Sequence, residues 1–410
     1  MDSLLADDIH RRMQDEHARS APPPEFPELP DLPIARYTDP GFHELELSRV
    51  FKRAWLFVGH SSLLPEPGSY LVPDIPVAPV VVVRGRDQRI RAFLNACRHR
   101  GAPVVRDVSG CAKHLVCQFH SWSYNLDGTL AAVPESRDFV NLDLRARALV
   151  EIPCQSWGEM VFVNLDPDAP PLAEWLSTIG VVHQDIAAAP GLRRIESMTY
   201  FQDCNWKVTV DAFLEDYHVK TVHRDTLAGM LDIRRSLVEL YPGGHTATFI
   251  PYRQGAGDRV IWTADLPKMA VHELYDTDLQ SFSLFPNLLV GSDDASGFFV
   301  AQWWPVSVSR TRMDVTWYGV DWGDGDRPEG WNVKLFGSDI LMKEDLVNVE
   351  PIQRSLEAAA HGGNPISYLE RRIWHFHATL DKLIGADDIA AHLRVPDHLA
   401  HLVRAMPVRA

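Results

Sequence analysis

The feature that most constrains this chain is a pair of short cysteine–histidine couples. Cys97-Arg98-His99 is followed, after seventeen residues, by Cys117-Gln118-Phe119-His120. Neither couple can enclose a metal alone, so a fold that uses them must bring two loops together. Thiolates and imidazoles are ligands for iron and zinc. A structural Cys₂His₂ zinc site is one reading. Zinc fingers, however, usually pair Cys with Cys on one loop and His with His on the other. Here each loop supplies one of each. That interleaving fits a two-iron centre in which one iron takes both cysteines and the other takes both histidines. Imidazoles in place of two thiolates make such a cluster less negative, with a potential of about −150 to +300 mV, so it relays single electrons. Cys111, Cys154, Cys204 and His114 lie off the pattern and read as surface or packing residues.

The surroundings of the couples are β-like. Between residues 68 and 165, short runs such as Ser69–Val72, Val80–Val83, Ile90–Asn95, Leu115–Gln118 and Met160–Asn164 are broken by Gly, Pro and Asp, the pattern of a small all-β domain. Before them come a helical first ~20 residues, a proline-rich connector from Ala21 to Pro33, and helical spacing from Gly41 to Trp55. Asp166–Pro171 (DPDAPP) is a natural boundary. Beyond it, strand candidates (Ser281–Val290, Gly297–Trp303, Arg312–Val320) and helix candidates (Asp339–Ala360, Ile366–Ile384) are mixed. That mixture predicts an α+β domain with an antiparallel sheet.

The 40 Lys and Arg against 55 Asp and Glu give a formal charge of −15. A chain this acidic has no overall attraction to nucleic acid or to an anionic membrane. No run reaches the ~18 apolar residues of a membrane span. The acidic N-terminal stretch is unlike a secretory signal, and five cysteines argue against a disulfide framework. The expectation is a soluble, cytoplasmic protein with neither nucleic acid nor membrane as partner.

A second constellation lies at Asn205-Trp206-Lys207 and onward to His218 and His223. On an ideal helix, residues five apart sit about 140° out of alignment. Two co-ligating histidines at this spacing therefore require the helix to end or distort; two unrelated histidines are the alternative. The metal reading needs a third ligand. Met342-Lys343-Glu344-Asp345-Leu346, followed by Glu350 and Gln353, offers Asp345, with Glu344 as the fallback; on its own this stretch would read as a solvated helix face. Two histidines and one carboxylate would leave open positions on one face of an iron.

Together these motifs resemble the large (α) subunit of Rieske-type non-haem iron aromatic-ring-hydroxylating oxygenases. The first matches the Rieske pattern, except that Ser121-Trp122 stands where the family usually has Gly-Trp. The resemblance extends to Tyr37-Thr38-Asp39-Pro40, Arg53-Ala54-Trp55 and Phe285-Pro286-Asn287-Leu288. It implies an α+β chain in three parts: an N-terminal arm (1–44) packing on the catalytic domain, an all-β Rieske [2Fe-2S] domain (45–165), and a helix-grip catalytic domain (166–410). It implies a Rieske cluster on Cys97, His99, Cys117 and His120, and a mononuclear Fe(II) on His218, His223 and Asp345. It implies a trimer in which Glu215, three residues before the first histidine, bridges the cluster of one subunit to the iron of the next and so takes part in catalysis. Asp211 and Asp216 are its rivals. Electrons would come from NAD(P)H through a ferredoxin or flavin reductase, and basic residues at Arg98, Arg100, Arg106 and Lys113 could receive an acidic donor. The expected reaction is O₂-dependent hydroxylation of an aromatic or other hydrophobic small molecule; the alternative is oxidative demethylation of a quaternary amine. Pocket candidates are Phe213, Leu227, Met230, Leu231, Phe249, Trp262, Phe282, Phe285 and Phe299, apolar residues that suit either substrate.

Overall fold

A computed structural model describes Met1 and residues 3–256 and 266–405. The chain divides into two compact units: Phe51–Leu172, and Met1–Val50 together with Ala173–Ala410.

The smaller unit is all-β. A five-stranded antiparallel sheet runs in the order Ser109–Cys111, Ser69–Leu71, Val80–Arg84, Ile90–Leu94, Glu151–Ile152. A three-stranded sheet places Met160–Val163 between Leu56–His60 and Cys154–Trp157, and a second joins Leu115–Val116, Ser123–Tyr124 and Leu130–Ala132. Its core gathers Tyr70, Val81, Val83, Phe93, Leu115, Trp122 and Tyr124 around Cys97 and Cys117. The runs of β-branched and aromatic residues favour strands because such side chains pack well on a pleated surface.

The larger unit is built on a seven-stranded antiparallel sheet. Its strands are β1 (Leu192–Gln202), β2 (Leu237–Leu240), β3 (Thr246–Pro251), β4 (Asp278–Leu284), β5 (Leu288–Asp294), β6 (Gly297–Ser307) and β7 (Arg310–Val320), in the spatial order β1-β7-β6-β5-β4-β3-β2. Apart from β1, each strand pairs antiparallel with the next one in sequence, by short turns except between β3 and β4, so local connections build most of the sheet. Four helices matter for the site: α1 (Ser3–Ala18), α2 (Trp206–Phe213), α3 (Glu329–Glu357) and α4 (Arg371–Ile384). Helix α3 packs on α2 and β1, and α1 packs near β2. Among the described residues no helix is long and apolar enough to cross a membrane.

Three sequence expectations need correction. Ser281–Val290 is not one strand: it is interrupted at Phe285–Asn287, where Pro286 has no N–H to give to a ladder. Helix α3 starts ten residues before the expected Asp339, because tertiary packing overrides the weak helix preference around Gly337. Helix α4 begins at Arg371 instead of Ile366; Glu370 turns back to accept the Ser367 N–H at 2.9 Å, which keeps that stretch outside the helix.

Candidate metal centres

In the smaller unit the two loops share one backbone plan. The Cys97 N–H donates to Ala102 C=O at 2.8 Å, and the Gly101 N–H donates back to Cys97 C=O at 2.8 Å. The second loop repeats this: Cys117 N–H to Trp122 C=O and Ser121 N–H to Cys117 C=O, both at 2.9 Å. The plan requires a left-handed residue four places after each cysteine. Gly101 (φ +76°) adopts it without steric cost, and Ser121 adopts it with φ +57°. The missing glycine therefore leaves the loop conformation unchanged.

Cys97 and Cys117 are buried and unpaired by disulfide. The imidazoles of His99 and His120 meet edge to face, with ring centroids 4.7 Å apart, and Trp122 stacks on His99 at 5.0 Å. The buried Nδ1 of His99 has no hydrogen-bond partner within the protein, as expected of a nitrogen whose partner is a metal. Two thiols and two imidazoles, one of each from two matching loops, are a donor set that fits a two-iron cluster. Tyr124, not singled out by any motif, hydrogen-bonds at this site. Its oxygen accepts the Arg98 N–H at 2.9 Å and lies 3.3 Å from Cys97 Sγ, to which it would donate once that sulfur is a metal-bound thiolate. Burial, then the contact with Cys97, pushes the phenol's pKa up and keeps that donor in place. Cys111 and His114 are exposed, and Cys204 is buried beside Thr209, as packing or surface residues would be.

In the larger unit, Asn205 caps α2 by accepting the Lys207 N–H at 3.1 Å, while Gln353 of α3 holds the Asn205 N–H at 2.9 Å. The helix stops at Phe213. A single turn, Val219–Val222, follows, with His218 just before it and His223 just after it. Both histidines thus escape the helical phase that would have pointed them apart. His218, His223 and Asp345 bring one ligand atom each within 4.8 Å of the others. Asp345 Oδ1 stands 3.5 Å from His218 Nε2 and 3.0 Å from His223 Nε2. Ligands about 2.1 Å from an ion at right angles would be ~3 Å apart, so this spacing fits one shared ion. Burial opposes protonation of both imidazoles, but neighbouring carboxylates outweigh it and raise both pKa values. The site attracts a cation.

Each histidine is also held from behind. His218 Nδ1–H donates to Glu215 Oε1 at 2.5 Å, while Glu215 Oε2 accepts the backbone N–H of Tyr217 and of His218. Glu344, the fallback ligand, instead lies at the Nδ1 side of His223, 2.7 Å away. The rivals of Glu215 are engaged elsewhere. Asp211 accepts from Tyr37 at 2.5 Å and from His377, and Asp216 accepts from Ser236 at 2.7 Å.

A cavity of about 430 Å³ opens beside the three ligands. Five expected residues line it: Phe213, Leu227, Met230, Leu231 and Phe299. Three expected residues do not and are corrected here. Side chains alternate across a strand, and this alternation turns Phe249 and Phe282 to the opposite face, where both stack on His183. Phe285 packs against Trp175 and Phe376. Trp262 lies outside the described residues. The strands add Ile250, Tyr252, Leu289 and Trp317, which sequence periodicity did not distinguish from core. A Cβ on Gly291 would come within 2.4 Å of the Phe299 ring, so that glycine makes room for the cavity wall.

Residues 54–150 match the Rieske [2Fe-2S] domain, and residues 190–386 match the ring-hydroxylating α-subunit catalytic domain. The chain is 31% identical over 261 residues to the α subunit of 2-aminobenzenesulfonate 2,3-dioxygenase of Alcaligenes sp, covering 62% of this chain and 66% of that relative. It spans about half to two thirds of the length of the curated relatives it matches. The fold is similar to that of a quaternary ammonium Rieske monooxygenase (TM-score 0.74, 21% identity, 90% of this chain and 99% of that one). It is similar also to naphthalene 1,2-dioxygenase from Rhodococcus sp. (TM-score 0.73, 23% identity, 94% and 99%). With a Rieske domain and a ring-hydroxylating catalytic domain in one chain, this protein belongs to the Rieske-type ring-hydroxylating oxygenase α-subunit family.

Proposed function

We propose that this chain is the terminal oxygenase component of a Rieske non-haem iron oxygenase, using O₂ and electrons from NAD(P)H to hydroxylate an aromatic or other hydrophobic small molecule. The observation that carries this reading is the set His218–His223–Asp345 opening onto an apolar cavity. Cys97, His99, Cys117 and His120 would hold the [2Fe-2S] cluster, and His218, His223 and Asp345 the mononuclear iron. Bound there, the iron supplies the oxygen-activating redox chemistry. The protein's part is aim and water exclusion. Glu215 fixes the His218 tautomer, and Phe213, Leu227, Met230 and Phe299 seat an apolar substrate against the ligands. Lys334 is the one lysine or arginine lining the cavity among the described residues. It is already engaged by Asp293, Asp294 and Ser296, which supports an uncharged substrate over a carboxylate or sulfonate.

The same reading makes the protein a cytoplasmic homotrimer served by a ferredoxin or flavin reductase. The cluster of one protomer would meet the Glu215 side of the next. A hollow of about 340 Å³ bordered by Glu215, His218 and Asn348 supports that approach. A second reading, oxidative demethylation of a quaternary amine, is favoured by the aromatic rings of Tyr252, Phe298 and Trp317 on the cavity wall, which could face a cation.

Metal analysis tests the class: the reading expects three irons and two acid-labile sulfides per chain, and zinc without sulfide defeats it. Reductase-driven, NADH-dependent O₂ uptake coupled to product, measured across aromatic hydrocarbons, aromatic acids and betaines, tests the substrate. Retention of mononuclear iron and turnover by His218→Ala would overturn the ligand assignment.

A further inference from the structure

We infer that Glu344 is the positioning residue of His223, and that it ties this ligand to the cavity wall through Thr226. The inference rests on the reading of His218, His223 and Asp345 as the iron ligands. Glu344 Oε2 lies 2.7 Å from His223 Nδ1 and 2.8 Å from Thr226 Oγ1. An ionised carboxylate can only accept, so the proton of a neutral His223 resides on Nδ1. Nε2 is left with its lone pair directed toward Asp345 Oδ1, 3.0 Å away. Adjacent residues on α3, about 100° apart around the helix, therefore face both ring nitrogens: Glu344 accepts from Nδ1–H behind the ring, and Asp345 stands opposite Nε2 across the position a shared ion would take.

The two histidines are supported differently. Glu215 orients His218 from the same loop, three residues away. Glu344 orients His223 from a helix 121 residues distant in sequence. Its second bond, to Thr226, reaches the segment that carries Leu227 and Met230 into the cavity wall, and Thr226 itself lines the cavity. His223 is thereby tied through Glu344 and Thr226 to the cavity surface that meets substrate.

The test uses the full-length, cluster-loaded protein. Mononuclear Fe(II) affinity is measured by competition with a chelator, alongside the thermal midpoint and the visible spectrum of the cluster. Glu344→Ala should weaken Fe(II) binding roughly ten- to a hundredfold with the cluster spectrum unchanged. Glu344→Gln, whose carbonyl can still accept from Nδ1–H and Thr226, should recover most of that affinity. A carboxylate acting as a ligand would not be rescued in this way. Thr226→Val should give a smaller loss at an unchanged thermal midpoint. If Glu344→Ala binds Fe(II) as wild type does, or Glu344→Gln is as weak as Glu344→Ala, the inference is wrong. His223→Ala separates the two levels: if it keeps its mononuclear iron, the reading of the site fails; if it loses the iron while Glu344→Ala keeps it, only the role of Glu344 fails.

Discussion

Lys207→Met probes the ion pair that fastens the Met1–Val50 segment, through Glu46, to the start of α2. Lys207 and Glu46 are both fully buried. The ammonium lies 2.7 Å from Glu46 Oε1 and donates to Asn205 Oδ1 at 2.8 Å, while Glu46 Oε2 accepts Trp206 Nε1–H at 3.0 Å. The rings of Tyr37, Phe42 and Trp206 stand 5.4 to 5.7 Å from Nζ, so little water can replace the lost partner. Methionine keeps most of the lysine stem, and the cavity term is small. What remains is a buried carboxylate with a single strong donor. Removing one member of a buried pair costs about 3–5 kcal/mol, a large share of a typical domain stability of about 5–15 kcal/mol. The double variant Glu46→Gln/Lys207→Met removes both charges and should recover most of the loss, giving a coupling of at least about 2 kcal/mol. Urea unfolding followed by tryptophan fluorescence measures all four proteins. A loss below about 1 kcal/mol at pH 7, or simple additivity in the cycle, would refute the reasoning.

Three further outcomes are expected. Ser121→Gly should stabilise the cluster-loaded protein by about 0.5–1 kcal/mol, since the left-handed residue costs roughly 1–2 kcal/mol and glycine's extra chain entropy returns part of it; a lower calorimetric midpoint would contradict the strain at φ +57°. Tyr124→Phe removes the hydrogen bond to Cys97 Sγ and should lower the cluster's midpoint potential by on the order of 50 mV, a nearly tenfold change for one electron; spectroelectrochemistry showing no shift would remove Tyr124 from the tuning role. His245 donates to Trp175 C=O at 2.8 Å and accepts the Phe285 N–H at 3.1 Å, and burial pushes its pKa down to about 4. An unfolded histidine titrates near 6.5, so its stabilising contribution is complete above that pH and is lost as pH falls toward 4, by about 3 kcal/mol. Burial lowers His60 and His183 in the same way, so a urea series from pH 7.5 to 4.5 should show a steeper slope than His245 alone gives, and His245→Gln should reduce the loss by about 3 kcal/mol; an unchanged slope would contradict the assignment.

Much of the metal chemistry was legible because its information is local. Two short couples specify two loops, and a spacing of five specifies a break in a helix. Both follow from the reach of a few residues and the pitch of one helix. The identity of the third ligand was less legible. Glu344 and Asp345 are neighbours of like charge, and only the placement of α3 decides which of them faces the ring nitrogens shared with His218. The cavity wall was read with mixed success for a related reason. Phe249 and Phe282 have the composition of a pocket but the wrong face of the sheet, and side-chain alternation assigns a face only once pairing register is known. Ile250 and Trp317 gained their place by the same register.

The sequence alone therefore determined which elements could bind metal, since ligand type and short-range spacing are properties of a few consecutive residues. The tertiary structure decided which carboxylate points where, which aromatics see the cavity, and that a serine can complete a glycine's turn. Those outcomes depend on contacts between segments far apart in the chain, where burial, register and side-chain direction select among residues that look alike in sequence.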